Sequence, residues 1–271
     1  MIASILRNPD AFLWLTRLKD KDSYAFAHCV DASSLAVAFG RHLGFAQSQL
    51  EDLAIGTLLF DIGKLQLPDD ILKKPGRLTE KEFALIRRHV EFGVQIVEEM
   101  KGSNKDIVSI VRYHHERHDG KGYPLGVAGK RIPVFGRIAA LVDCYDAITS
   151  DRHYSGGLSA EEALKRMYEW RKKDFKPHMV EEFIKCMGIF PIGSLVELST
   201  GAIGVVITIN RARRLKPKVA LVLTASGTPF SHRFIADLSD ERYTGAEELK
   251  IKRVLPSGAH GINPMDYIVQ L

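Results

Sequence analysis

Apolar residues recur at intervals of three and four through about residue 188, which is the spacing of one buried helix face. The most regular run consists of Phe83, Ile86, Val90, Val94 and Val97. This run predicts a single amphipathic helix. We expect residues 1–190 to form a mainly α-helical domain.

Three of the predicted helices begin with a capping box, in which Ser or Thr is followed three residues later by Glu. The pairs are Ser48 with Glu51, Thr79 with Glu82 and Ser159 with Glu162. In each pair the hydroxyl and the carboxylate can satisfy backbone N–H groups that the first helical turn leaves without partners. We therefore expect helices to begin at these three points.

The pattern changes after Pro191, where short β-branched runs alternate with turn residues. The runs cover residues 195–198, 203–209 and 219–223. Runs of this length separated by glycine and polar residues are typical of antiparallel strands. We expect residues 191–271 to form a small antiparallel β-rich domain after the helical one.

Composition narrows the class of protein. The 271 residues are 45% hydrophobic, which is enough to bury a core, and the net charge of +5 suits an anionic small molecule without requiring nucleic acid. Three scattered cysteines do not make a disulfide framework, so we expect a reducing, cytoplasmic location. No apolar run reaches the ~18 residues of a membrane-spanning helix.

The stretch from His114 to Pro124 places two adjacent histidines before a glycine-rich turn. Either histidine alone would more often be a hydrogen-bonded core residue, and a lone buried aspartate could equally link two helices. Further candidate ligands occur along the chain at His28, Asp61, His89 and Asp143. Mixed imidazole and carboxylate ligands suit iron, manganese or zinc, and a carboxylate can bridge two ions. The set predicts metal-assisted phosphoester hydrolysis.

The motifs and their order resemble an HD-GYP domain, the bacterial branch of the HD superfamily associated with hydrolysis of cyclic di-GMP. The resemblance covers about residues 10–190. It rests on these segments: Asp61-Ile62-Gly63-Lys64, His89 with Gly93, His114-His115-Glu116, Asp119-Gly120-Lys121-Gly122-Tyr123-Pro124, Asp143-Cys144-Tyr145-Asp146-Ala147 and Ser150-Asp151-Arg152-His153-Tyr154. It implies a helical bundle of the HD superfamily, one or two transition-metal ions and cyclic di-GMP as the substrate.

The resemblance also implies a role for individual residues. Asp61 would bridge two metal ions, with His89, His114 and His115 completing one centre and His28 and Asp143 serving the other. Asp61 and Lys64 would be catalytic, because the Lys64 ammonium could reach a phosphate oxygen or the leaving group. Three further residues would contact the substrate: Gly122, Tyr123 and Arg152.

One residue departs from the family pattern. Phe60 stands where the family has the histidine of its His-Asp pair, and a phenyl ring has no lone pair to donate. Tyr24 likewise replaces a glutamate that accompanies a third metal in some relatives. Two functions therefore stay open: a phosphodiesterase weakened by the loss of one ligand, or a degenerate module that binds cyclic di-GMP or signalling proteins. The sequence leaves oligomerisation open as well.

Overall fold

A computed structural model describes residues 9–150, 158–210, 212–240, 249–256 and 258–268. They divide into two compact units, of which the first contains residues 9–150 and 167–182. The second contains residues 158–166 and the described residues from Phe183 onward. The predicted boundary at residue 190 falls within the second unit, and the two-domain division by sequence stays a prediction.

The first unit is helical, as predicted. Its helices are α1 (Pro9–Lys21), α2 (Ser23–His42), α3 (Gln47–Leu59), α4 (Asp69–Leu72), α5 (Glu80–Arg87), α6 (His89–Glu99), α7 (Lys105–Tyr113) and α8 (Val134–Thr149). Two short 3-10 segments, Ile62–Gln66 and Gly129–Arg131, interrupt the connections. Two later helices, α9 (Ala160–Trp170) and α10 (Pro177–Met187), each span a boundary between the units. In the described residues, no helix has the length and apolar character that a membrane crossing requires.

Two of the three predicted capping boxes are confirmed. At the start of α5, the Glu82 carboxylate accepts a hydrogen bond from the Thr79 amide at 2.7 Å, and the Thr79 hydroxyl accepts one from the Glu82 amide. Ser159 and Glu162 make the same reciprocal pair before α9. These hydrogen bonds fix where both helices begin.

The third prediction was wrong in its position. Helix α3 begins at Gln47, with Ala46 as the residue before it, so Ser48 already lies within the first turn. The side-chain oxygen of Gln49 accepts a hydrogen bond from the Ala46 amide at 3.0 Å. A glutamine thus provides the cap that the sequence pattern assigned to Ser48 and Glu51.

The predicted single helix across residues 83–97 is two helices, α5 and α6, with Arg88 between them. The Arg88 amide donates a hydrogen bond to the Leu85 carbonyl at 3.1 Å. Nδ1 of the His89 imidazole donates one to the Ile86 carbonyl at 2.7 Å. The imidazole therefore competes with the backbone for an acceptor at the point where the helix breaks. Val90 and the later apolar positions of the run are buried, whereas Phe83 is 41% exposed.

The second unit contains a five-stranded antiparallel sheet, which confirms the predicted β-rich region. Its strands are β1 (Leu195–Leu198), β2 (Ile203–Thr208), β3 (Lys218–Leu223), β4 (Pro229–Asp237) and β5 (Ile251–Leu255). They lie in the order β4-β3-β2-β1-β5. Neighbouring strand residues alternate between two apolar clusters, with Leu195 and Val205 in one and Val196 and Val206 in the other. The central strands β1 and β2 are therefore buried on both faces. A short helix, α11 (Met265–Ile268), follows it.

Gly63 allows the 3-10 segment after α3 to lie directly against α6. A Cβ atom at this position would collide with the His89 carbonyl oxygen and would stand 2.5 Å from the Gly93 amide nitrogen. Only a glycine permits this approach, because both obstacles are backbone atoms. The contact brings the residues around Asp61 next to the start of α6.

We predict that Gly63→Ala lowers the free energy of unfolding by ~3 kcal/mol or more, because the backbone must shift to accept the methyl group. Gly93→Ala serves as the matched variant in the same contact. Its Cβ would meet the Val111 side chain at 3.0 Å. The higher helix propensity of alanine would offset about 1 kcal/mol of the cost of that contact. Urea denaturation should place Gly93→Ala within ~1 kcal/mol of the natural protein. Equal losses in both variants would contradict this account.

The cap of α5 predicts a pH dependence. Hydrogen bonds from Lys74, followed by those from Thr79, lower the pKa of Glu82 to about 2. Because the folded-state pKa is depressed, the stabilisation is present above the ordinary value of 4.5 and is lost as the pH falls toward 2. Glu82→Gln should lower the melting temperature at pH 7, and the difference should shrink below pH 4.5. Glu80→Gln removes an equal charge from the same turn and should show neither effect.

Candidate metal centre

Four side chains of the first unit converge on one point: Asp61, His89, His114 and His115. Each offers one ligand atom, and these atoms all lie within 4.8 Å of one another. The first three residues are buried, while the His115 side chain remains 18% exposed. The residues come from the end of α3, the start of α6 and the end of α7. The structure thus brings together the four ligands that the sequence assigned to one centre.

Backbone hydrogen bonds fix the orientation of two of these imidazoles. The Nδ1 atom of His89 donates to the Ile86 carbonyl at 2.7 Å, and Nδ1 of His114 donates to the Val111 carbonyl at 2.7 Å. A carbonyl oxygen only accepts, so each neutral ring carries its hydrogen on Nδ1 and a lone pair on Nε2. The two Nε2 atoms face each other at 3.3 Å, and Asp61 Oδ1 lies 3.3 Å from Nε2 of His89. Lone pairs and a carboxylate pointed at one another repel unless a cation stands among them, so this donor set fits a metal ion.

The protonation states suit such an ion. Burial lowers the pKa of His89 to about 4 although Asp61 opposes the shift, and burial together with the neighbouring histidines lowers the pKa of His114. Both rings are therefore neutral at pH 7. Burial alone would raise the pKa of Asp61, but Lys64 and His89 together hold it below its usual value. Neutral imidazoles with an ionised carboxylate are ligands for a transition metal rather than calcium.

Lys64 lies at the edge of this group. Its ammonium donates a hydrogen bond to Asp61 Oδ2 at 2.6 Å, while the other carboxylate oxygen faces His89. Burial alone would lower the pKa of Lys64, but Asp61 outweighs it and raises the value. Lys64 is therefore charged and held beside the candidate centre. Its contact with substrate stays a prediction.

His28 and Asp143 lie next to the four-ligand group but form a cluster of their own. The His28 ring faces Asp143 through Nε2 at 3.1 Å and Asp146 through Nδ1 at 2.6 Å. Burial opposes protonation, but the two carboxylates outweigh it and raise the pKa of His28 to about 10. The charged ring donates from both nitrogens and has no lone pair left for a metal. The other oxygen of Asp143 lies 3.4 Å from Nδ1 of His115, which links the two groups.

Phe60 lies between His28 and His114. Its side chain is fully buried, and its ring centroid lies 5.3 Å from that of His28 and 4.9 Å from that of His114. The phenyl ring therefore occupies the space between His28 and the four-ligand group. An apolar ring at this position excludes water and contributes no ligand.

The turn after the histidine pair packs against the centre. The Tyr123 ring centroid lies 4.6 Å from that of His115, and the Tyr123 amide donates to the His115 carbonyl at 3.2 Å. A Cβ atom at Gly122 would collide with backbone atoms of Arg117, so only glycine fits there. The following peptide bond, Tyr123–Pro124, is cis. Arg152, the remaining predicted substrate contact, lies outside the described residues.

Two functional positions were not assigned from the sequence. Glu116 is buried, and its carboxylate accepts hydrogen bonds from the amides of Leu125, Gly126 and Val127 at 2.7 to 3.1 Å. It fixes the turn that carries Tyr123. Asp146 holds His28, and its position three residues after Asp143 on α8 is the signal that could have identified it.

Comparison with known proteins identifies both parts of the chain. A family model described as an HD domain matches residues 13–178, and one described as a KOW domain associated with the HD domain matches residues 195–244. A cyclic di-GMP phosphodiesterase of Pseudomonas aeruginosa is 42% identical over 223 residues, which cover 82% of this chain and 54% of that protein. A 3'3'-cGAMP-specific phosphodiesterase of Vibrio cholerae is 36% identical over 139 residues, covering 51% and 27%. This chain thus spans about half the length of the first relative and less of the second.

Among solved structures, an HDG"Y"P protein from Bdellovibrio bacteriovorus aligns with a TM-score of 0.49 and 22% identity. The alignment covers 58% of this chain and 50% of that one.

We predict that protein purified without chelators carries about one equivalent of a transition metal, because the four ligand atoms converge on one point. His114→Gln should lower the content several-fold, in line with a loss of ~10-fold or more when a ligand's environment is damaged. His178→Gln, which changes an exposed histidine, should retain the full amount. Elemental analysis measures the content, and melting curves show whether each variant is folded. Less than a tenth of an equivalent in the natural protein would contradict the metal assignment.

Proposed function

We propose that this chain, which belongs to the HD domain family, is a metal-dependent phosphodiesterase that hydrolyses cyclic di-GMP. The observation that carries the proposal is the convergence of Asp61, His89, His114 and His115, with two imidazole lone pairs facing each other at 3.3 Å. The choice of cyclic di-GMP is supported by the similarity to the cyclic di-GMP phosphodiesterase of Pseudomonas aeruginosa.

These four residues would hold one ion, with iron or manganese favoured and zinc also suited to the ligands. Such an ion supplies Lewis-acid polarisation of a phosphoryl oxygen and lowers the pKa of water. The protein's own contribution is position and charge. The carbonyl partners of His89 and His114 fix both rings, and Asp143 lies within 3.4 Å of Nδ1 of His115.

Lys64 would act on the substrate. Its ammonium lies 2.6 Å from Asp61 and is partly exposed, so it could turn toward a phosphate oxygen or donate to the leaving oxygen. Tyr123 and Gly122 would line the substrate site, because their turn packs on His115. Arg152 is proposed as a further phosphate contact from the family resemblance alone.

We infer one metal ion rather than two. Both ring nitrogens of His28 face carboxylate oxygens, and the Phe60 ring fills the space toward His114. A second ion would need His28 to exchange a hydrogen-bonded carboxylate for a metal. A single ion leaves the reaction without the second half of the clamp that two-metal phosphodiesterases use, so we expect slow turnover.

The cytoplasm is the proposed site of action. The three scattered cysteines make no disulfide framework, which fits a reducing compartment. Cyclic di-GMP is also the anionic small molecule that the mildly basic charge of the chain would suit.

A second candidate function is a receptor that binds cyclic di-GMP without cleaving it and signals through protein partners or through self-association. Phe60 is the observation that favours it, since the buried ring removes a ligand next to the centre. The receptor and the enzyme would share one binding site and differ in turnover.

The deciding assay is hydrolysis of cyclic di-GMP with manganese or ferrous iron. We expect slow turnover by the natural protein and a loss of at least ~100-fold in Asp61→Ala, because Asp61 is both a ligand and the partner of Lys64. Asp70→Ala, an exposed aspartate on α4, should retain full activity. Phe60→His should raise turnover by adding a ligand. Tight binding without turnover in the natural protein would favour the receptor.

A further inference from the structure

Three side chains form an open corner beside the candidate metal centre. The Arg87 guanidinium lies 4.4 Å from the centroid of the Phe83 ring and 5.0 Å from that of the Tyr123 ring. The two rings stand nearly perpendicular, at 77°, with their centroids 6.4 Å apart. The guanidinium carbon thus lies within cation–π distance of two aromatic rings at once.

This corner has a fixed relation to the metal ligands. Phe83 and Arg87 are four residues apart on α5 and therefore share one face of that helix. The Tyr123 ring lies 4.6 Å from the His115 ring and 6.5 Å from the His89 ring. One side of the Tyr123 ring therefore contacts the candidate centre while the same residue supports Arg87.

Arg87 is available to an anion. In the described parts of the chain, no carboxylate lies within ion-pairing distance of its guanidinium, and the residue is exposed. Lys64, which also lies beside the centre, is already paired with Asp61. Contact with two rings restricts the guanidinium, and its N–H groups are the donors that bind phosphate oxygens in pairs.

Cyclic di-GMP presents two phosphodiesters on one ring of atoms. When one of them is at the metal centre, the other must lie a short distance away and carries a full negative charge. We propose that Arg87, held by Phe83 and Tyr123, binds the phosphodiester that is not being cleaved. This assignment rests on the proposed function. It makes Arg87 a substrate-binding residue outside the segments on which the family resemblance rests.

The test compares a substrate with two phosphodiesters and a substrate with one. Arg87→Met keeps the length of the side chain and removes its charge, so it should raise the KM for cyclic di-GMP by ~10-fold or more. The kcat should change by less than ~3-fold, because the metal ligands are untouched. Hydrolysis of bis(p-nitrophenyl) phosphate, which has a single phosphodiester, should be unchanged within about twofold.

Two further variants separate position from charge. Arg88→Met removes the same charge from the neighbouring residue, whose guanidinium lies over Phe92 instead, and should leave both substrates unaffected. Phe83→Leu removes one stacking partner but keeps Arg87, and should weaken cyclic di-GMP binding by a smaller factor than Arg87→Met. Because turnover is expected to be slow, calorimetric binding of cyclic di-GMP to the metal-containing protein gives the same comparison.

The outcomes test the role of Arg87 separately from the phosphodiesterase function. Loss of affinity for cyclic di-GMP in Arg87→Met, with normal hydrolysis of bis(p-nitrophenyl) phosphate, would support the assignment. Equal loss in Arg88→Met, equal loss on both substrates, or unchanged affinity in Arg87→Met would overturn it while leaving the proposed function intact. A natural protein that neither binds nor cleaves cyclic di-GMP would overturn both.

Discussion

The candidate metal centre depends on two imidazoles whose Nε2 lone pairs are held 3.3 Å apart by hydrogen bonds on the opposite side of each ring. This arrangement is unfavourable by itself, because like partial charges face each other in a buried space. The surrounding backbone imposes it. At the start of α6, Nδ1 of His89 donates a hydrogen bond to the Ile86 carbonyl, and just after α7, Nδ1 of His114 donates one to the Val111 carbonyl. Gly63 brings Asp61 into the same space, which adds the negative charge a cation would require.

The centre and the neighbouring His28 cluster solve the problem of buried charge in different ways. In the cluster, the charged His28 ring donates from Nδ1 to Asp146 and from Nε2 to Asp143, so both carboxylates have a partner without an ion. In the four-ligand group the only cation among the described residues is Lys64, and it reaches one oxygen of Asp61 without entering the space between the imidazoles. Phe60 lies between His28 and His114, with its ring centroid 5.3 and 4.9 Å from theirs, and its phenyl ring offers a metal no lone pair.

Much of this arrangement could be read from the sequence, and the rest depended on contacts between distant residues. The ordered histidines and aspartates identified both the HD family and the four converging ligands, because those residue types have few other reasons to be buried together. The break at Arg88 was missed because apolar spacing continues through it, and the competing acceptor is a carbonyl that no pattern reveals. Glu116 was missed as well, since its three amide partners lie nine to eleven residues away in a loop.

Charge balance connects the centre with its surroundings. The carboxylates of Asp61 and Asp143 are balanced by Lys64 and His28, each of which pairs with one of them. In the proposed phosphodiesterase, a bound divalent ion would add positive charge to this balance. Arg87, whose guanidinium lies 5.0 Å from the Tyr123 ring that packs on His115, would add more. On these proposals, metal binding and the binding of a dianionic cyclic dinucleotide would favour each other through electrostatics.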